Sequence, residues 1–136
     1  MNEREEGTTL MLDFGKLKKV GAGGADVVPV AVQNADTGEV ILIAYANEEA
    51  LEHSIETRTA AFWSTSRNEL WIKGATSGNT FELVEVRVNC EQNSLLYRVR
   101  PRAGGICHTR NRDGKPRNCF YRRIDFETGT LENLDP

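Results

Sequence analysis

The run Val27-Val28-Pro29-Val30-Ala31-Val32 is followed by Asp36-Thr37-Gly38-Glu39 and then by Val40-Ile41-Leu42-Ile43-Ala44-Tyr45. Two β-branched runs on either side of a Gly-containing turn read as a β-hairpin. Both runs are apolar on both faces, so the hairpin is expected in the middle of a sheet. Pro29 has no N–H to give a ladder and belongs near a strand start or at an unpaired position.

Downstream, Asn47 suits a helix N-cap, and Glu48 and Glu49 suit its first turn. Ala50, Leu51 and Ile55 supply an inward stripe, which predicts a helix over 47–57. His53 lies on that helix, where a lone histidine reads as a surface or core residue. Ala60-Ala61-Phe62-Trp63-Ser64 reads as a strand that turns through Thr65-Ser66-Arg67-Asn68 into Glu69-Leu70-Trp71-Ile72-Lys73. Residues 80–88 alternate apolar and charged, and 94–100 form the next strand, stopped by Pro101. Residues 119–126 read as a last strand. Upstream, 1–8 read as a disordered arm. Residues 9–26, with Gly21, Gly23 and Gly24, read as a Gly-rich loop behind a short apolar piece. The expectation is one β-rich α+β domain over 9–136 with one main helix.

A chain of 136 residues suits a single domain with its own core. Hydrophobic content of 39% and charged content of 27% are ordinary for a globular protein and exclude a low-complexity one. No long apolar run is present to span a membrane. The acidic start Met1-Asn2-Glu3-Arg4-Glu5-Glu6 lacks the apolar stretch of a secretory signal, so a cytoplasmic protein is expected. The net charge of −3 is unevenly spread. Positions 100–123 hold eight Lys/Arg against one acid, Asp113, so this segment stands at +7 and the remainder at −10. A local basic field on an acidic protein suits a small anion rather than nucleic acid. The alternative is a solvated basic loop.

All three cysteines, Cys90, Cys107 and Cys119, fall within 30 positions, and His108 is beside the second. In a cytosolic chain three cysteines are not a disulfide framework. Clustered thiolates suit zinc, although their spacing matches no common zinc finger. The alternative is three buried small hydrophobes.

A second stretch offers hydroxyls, cations and glycines together: Ser64, Ser66, Arg67, Trp71, Lys73, Thr76, Ser77 and Gly78. Such loops can present N–H and hydroxyl groups to a phosphate, with arginine as a bidentate partner. The same residue types also make ordinary turns.

Taken in order, Leu12-Asp13-Phe14, Asn47-Glu48-Glu49-Ala50-Leu51, Trp63-Ser64-Thr65-Ser66-Arg67, Leu70-Trp71-Ile72-Lys73-Gly74, Thr76-Ser77-Gly78-Asn79, Cys107-His108-Thr109 and Cys119-Phe120-Tyr121-Arg122 resemble the phosphoribosyl-AMP cyclohydrolase family of histidine biosynthesis. The resemblance implies a homodimeric, folded mixed-sheet pseudobarrel. It implies a zinc site of Cys90, Cys107 and Cys119 shared between subunits, and hydrolytic opening of the adenine ring of a small phosphorylated nucleotide between N1 and C6. Three protein ligands leave a position for water, whose pKa zinc brings to about 7. His108 is then the expected general acid or base; the alternative, a fourth ligand that closes the site, is disfavoured because neighbouring residues in extended chain point opposite ways. Arg67, Lys73, Arg110 and Arg122 are the expected cations for the phosphates.

Two departures stand out. The family run Asp-Cys-Asp-x-Asp, which binds magnesium, reads Asn89-Cys90-Glu91-Gln92-Asn93 here. Only Glu91 keeps a carboxylate, so magnesium is expected to be weak or absent. Residues 110–118 also form a longer link than the family has. These departures leave open a paralogue acting on another purine-like nucleotide. A non-catalytic, zinc-stabilised nucleotide-binding module is the alternative from a different class.

Overall fold

The computed structural model describes residues 2–24, 26–102 and 109–136. Helix α1 (Glu3–Glu6) and helix α2 (Lys16–Ala22) precede strands β1 (Val28–Asn34) and β2 (Val40–Ala46). Helix α3 (Glu48–Thr57) leads to β3 (Ala61–Ser64) and β4 (Glu69–Ile72), then β5 (Phe81–Val88) and β6 (Leu95–Pro101). Strands β7 (Arg122–Ile124) and β8 (Leu131–Asn133) close the chain. The result is a small α+β domain built on a mixed sheet.

The main sheet has the order β2-β1-β6-β5. Each hairpin is antiparallel, and the two join through a parallel β1–β6 pair. A parallel pair needs a long crossover, which α3 and the β3–β4 hairpin supply. Ile41 and Val84 are the extra residues where the register slips in β2 and β5. Such bulges bend a sheet. The core lies on one face, where Val30, Val32, Leu42, Phe81, Tyr97 and Val99 meet Phe62 of β3 and Ala50 of α3. Phe62 lies between the rings of Trp71 and Tyr97, at 5.5 and 5.6 Å.

Helix α3 starts where its sequence asks: the Asn47 carboxamide oxygen accepts from the Ala50 N–H at 2.9 Å. It stops at Arg58, which is left-handed at φ 55°. Ser54 is fully buried on its inner face.

Four expectations differ from the structure. Strand β1 is interior, but β2 is the edge of this sheet, and its second face leaves Val40 and Ile43 exposed. Residues 16–22 are helical rather than loop. Gly15 is its N-cap, and Asp13 just upstream accepts the Gly15 N–H and pairs with Lys19 at 3.2 Å. The last strand is three residues long and has a partner, β8, that the sequence reading did not contain. An Asp125-centred turn joins the two.

Residues 2–8, read as a disordered arm, form a short helix capped by Asn2 and strapped to the C-terminal hairpin. Arg122 donates to the carbonyls of Gly7 and Arg4, Tyr121 donates to Glu5, and the Leu131 N–H donates to Thr8. Arg117, nearly buried, pairs with Glu6 at 3.1 Å. Long-range partners order a segment whose own composition would not. Among the described residues no helix is long and apolar enough to cross a membrane.

Candidate active site

The β3–β4 hairpin has a short turn, with Asn68 left-handed at φ 53°. The Asn68 carboxamide accepts from the Trp63 indole N–H, and Ser64 Oγ accepts from the Arg67 N–H. Ser64 and Ser66 hydroxyls lie 3.4 Å apart. This turn, together with β2 and the start of α2, borders an open cavity of about 230 Å³ lined by Lys16, Tyr45, Trp63, Trp71, the hydroxyl residues Ser64, Thr65 and Ser66, and Ile43 and Ala44 of β2. Three aromatic rings, three hydroxyls and one ammonium make a site that can stack a flat ring or sugar and hold an anion.

Of the expected substrate residues, Ser64, Ser66 and Trp71 share this cavity. Arg67 is held on the hairpin by Glu69 at 3.4 Å and is not in the lining. Lys73 reaches the other way, with its ammonium 4.9 Å from the centre of the Phe81 ring. Thr76, Ser77 and Gly78 belong to a loop that closes on itself, with the Gly78 N–H donating to Gly74 and Ser77 Oγ accepting from the Asn79 N–H. Arg110 donates to the Gly114 carbonyl, and both terminal nitrogens of Arg122 hold the N-terminal strap.

Cys90 and Cys119 are both exposed and outside disulfides. Each sits in a turn organised by a preceding asparagine. The Asn89 carboxamide oxygen accepts from the N–H groups of Asn93 and Ser94, both at 2.9 Å. Asn118 accepts from the Phe120 N–H at 2.8 Å and donates to the Val40 carbonyl, which ties Cys119 to the β1–β2 hairpin. Cys119 borders a second cavity, about 380 Å³, with Leu10, Leu12 and Phe120. Cys107 and His108 lie outside the described residues. Among the described residues no cluster of three or more His, Cys, Asp or Glu is close enough to hold a metal.

The donor set can be tested against each metal. Exposed thiols on fixed turns suit zinc, which takes thiolates readily. Magnesium needs anionic oxygens. Asn89 and Asn93 bond to each other through their carboxamides, and Asn93 also donates to the single carboxylate, Glu91. This turn is satisfied by its own amides and does not fit magnesium.

A sequence profile of the phosphoribosyl-AMP cyclohydrolase family matches residues 42–121. The chain belongs to that family. It is an enzyme of the cyclohydrolase class. The phosphoribosyl-AMP cyclohydrolase of Caulobacter vibrioides is 50% identical over 109 residues, 79% of this chain and 73% of the relative. That of Chloroherpeton thalassium is 35% identical over 135 residues, 99% of this chain and 89% of the relative. The histidine biosynthesis bifunctional protein HisIE of Thermus thermophilus is 50% identical over 98 residues, 72% of this chain and 43% of the relative.

The cyclohydrolase profile takes in the β3–β4 hairpin and all three cysteines but leaves α2 outside. Lys16, Tyr45, Trp63 and Thr65 line the cavity without being among the expected substrate residues, and Lys16 is the charged one of them. The available signal was Asp13 followed by a basic, partly apolar run, Lys16-Leu17-Lys18-Lys19-Val20, which suits a capped helix.

Proposed function

We propose that this chain hydrolyses the N1–C6 bond of the adenine ring in N1-(5-phosphoribosyl)-AMP, a step of histidine biosynthesis, in the cytoplasm. Family membership over β2 to Tyr121 carries the reading. The aromatic and hydroxyl-lined cavity supports it, since the substrate combines purine, ribose and phosphate groups. Trp63, Trp71 and Tyr45 offer rings for stacking, and Ser64 and Ser66 offer hydroxyls to one phosphorylated arm.

We assign zinc to Cys90, Cys107 and Cys119, with two copies of the chain sharing the sites in a homodimer that closes the pseudobarrel. What supports the second copy is the exposure of Cys90 and Cys119 in the single chain, together with the uncovered Val40 on the edge strand. Bound zinc would supply the Lewis acidity that makes water nucleophilic near neutral pH. His108 is the proposed proton carrier, taking the proton from the attacking water and returning it to the departing N1. The oxygen is left on C6 as a carboxamide carbonyl, and water's two hydrogens go one to N1 and one to the exocyclic imino nitrogen on C6, so the ring opens without any other reactant.

The test is turnover of phosphoribosyl-AMP by the purified protein, with and without added magnesium, alongside its zinc content and its mass in solution. Turnover independent of magnesium is expected from the amide-closed 89–93 turn. Absence of turnover in both conditions would favour the second reading, a paralogue acting on another purine-like nucleotide, which the same turn motivates.

A further inference from the structure

We propose that Lys16 is the cation of a phosphate-monoester subsite formed with the Ser64, Thr65 and Ser66 hydroxyls. The inference rests on the cyclohydrolase reading and adds a substrate-positioning residue from outside the stretch that the family profile matches.

Lys16 opens α2 and projects across to the β3–β4 turn, where its ammonium donates to Thr65 Oγ1 at 3.4 Å. It also stands 5.9 Å from the centre of the Tyr45 ring, at the outer limit of a cation–π contact. No carboxylate among the described residues pairs with it, and no acidic residue lines the cavity. Two other cations nearby are paired, Lys19 with Asp13 at 3.2 Å and Arg67 with Glu69 at 3.4 Å, and Lys18 is not in the lining. The cavity therefore keeps one uncompensated positive charge facing three hydroxyl donors.

A phosphate monoester fits that set, with acceptor oxygens for the hydroxyls and a dianionic charge for a point-like ammonium. The cavity is open to solvent, so its volume measures the region of close contact and leaves room for the rest of a larger substrate outside it. About 230 Å³ is below the range of roughly 300–1,000 Å³ typical of whole-ligand pockets. The cavity therefore takes one phosphorylated arm, and the reacting purine carbons lie beyond it. A group that meets a non-reacting arm acts on binding in ground and transition states alike, so its loss raises KM and leaves kcat.

The experiment compares Lys16→Ala, Lys16→Arg and Lys18→Ala in phosphoribosyl-AMP turnover. Lys18, on the same helix, is not in the lining. Losing one charge-assisted contact at an exposed site should raise KM about tenfold for Lys16→Ala. The expected pattern is unchanged kcat, recovery by Lys16→Arg, no effect of Lys18→Ala and a smaller effect at high salt. An unchanged KM for Lys16→Ala in an otherwise active enzyme overturns the proposal and leaves the reaction assignment standing. If the wild type shows no turnover, the reaction assignment fails instead, and binding decides the subsite. Trp63 and Trp71 are the chain's two tryptophans and both line the cavity, so AMP titration can be followed by their fluorescence. A weaker AMP affinity in Lys16→Ala supports the subsite. Equal affinity, or no response in the wild type, overturns it.

Discussion

Replacing Ser54 by alanine should destabilise the fold measurably, because one hydroxyl joins α3, β3 and β6. Ser54 has no exposed surface. Its Oγ accepts from the Ala61 N–H at 2.8 Å and donates to the Ala50 carbonyl at 2.8 Å, with Tyr97 Oη at 3.4 Å. Removing it strands the Ala61 N–H inside the core, which costs about 1–3 kcal/mol. Alanine's better helix propensity returns roughly 0.5 kcal/mol. The net loss is about 0.5–2.5 kcal/mol. At about 2.1 cal/mol/K of unfolding entropy per residue, each kcal/mol shifts Tm by roughly 3–4 °C in a chain of 136 residues. Calorimetry at neutral pH should therefore show Tm lower by about 2–9 °C. Urea unfolding should show a lower midpoint with the same slope. Hydrogen exchange should show the Ala61 amide losing protection more than its neighbours. Combining Ser54→Ala with Tyr97→Phe should give less than the sum of the two, since the hydroxyls are in contact. A Ser54→Ala protein with wild-type Tm and a slowly exchanging Ala61 amide would refute the assignment of the hydroxyl as that amide's acceptor.

The β4–β5 loop gives a paired test: a Cβ on Gly74 would lie 2.3 Å from the Asn79 backbone at φ +76°, whereas one on Gly78 meets nothing within 4 Å at φ +82°. Gly74→Ala should cost roughly 2–4 kcal/mol and Gly78→Ala only about 1, read by urea unfolding. Burial pushes the Tyr97 hydroxyl above its ordinary 10.0, against the opposing Ser54 hydrogen bond. Its contribution is therefore present below pH 10 and lost as pH rises through the folded value, so Tyr97→Phe should flatten the fall of Tm above pH 10. Cys119→Ser should remove most of the zinc from the purified protein, measured by elemental analysis, while far-UV circular dichroism stays near wild type; full zinc content would count against the thiolate site.

The hairpin over β1 and β2, the capped helix α3 and the alternating strands β5 and β6 were all legible in the sequence, because local pattern and tertiary environment agree there. Period-two alternation in β5 matches its half-buried position, and Asn47-Glu48-Glu49 does at the helix start what the sequence suggests. Three features resisted. Helix α2 is short and bracketed by glycines, which outweighed the helical signal in its basic, partly apolar run. Strand β8 is three residues long and exists because β7 and the N-terminal strap meet it. The edge position of β2 is set by pairing, which an apolar run does not reveal. At the site, the hydroxyl-rich turn was visible as a motif. Its separation from the 74–79 loop was not, since both are polar stretches joined by one short strand.

The cations show most plainly why residue counts mislead. The +7 of positions 100–123 suggested one anion-binding field, but the fold gives most of those side chains separate structural tasks. Arg100 pairs with Asp36, Arg123 with Glu132, and Arg117 with Glu6. Arg102 donates to Thr59, Thr80 and the Arg58 carbonyl, at the end of α3. Arg122 closes the N-terminal strap. A guanidinium already paired with a carboxylate presents little net field to a ligand, since the two charges cancel within a few ångströms and exposed pairs are further screened. Charge density along the chain therefore measured how many joints the C-terminal half fastens. The cation that remains uncompensated beside hydroxyl donors comes from a stretch with only four basic residues, Lys16, Lys18, Lys19 and, further upstream, Arg4. What selects it is distance: 3.4 Å from Thr65 across 49 positions of sequence, a contact that exists only once α2 has formed against the β3–β4 turn.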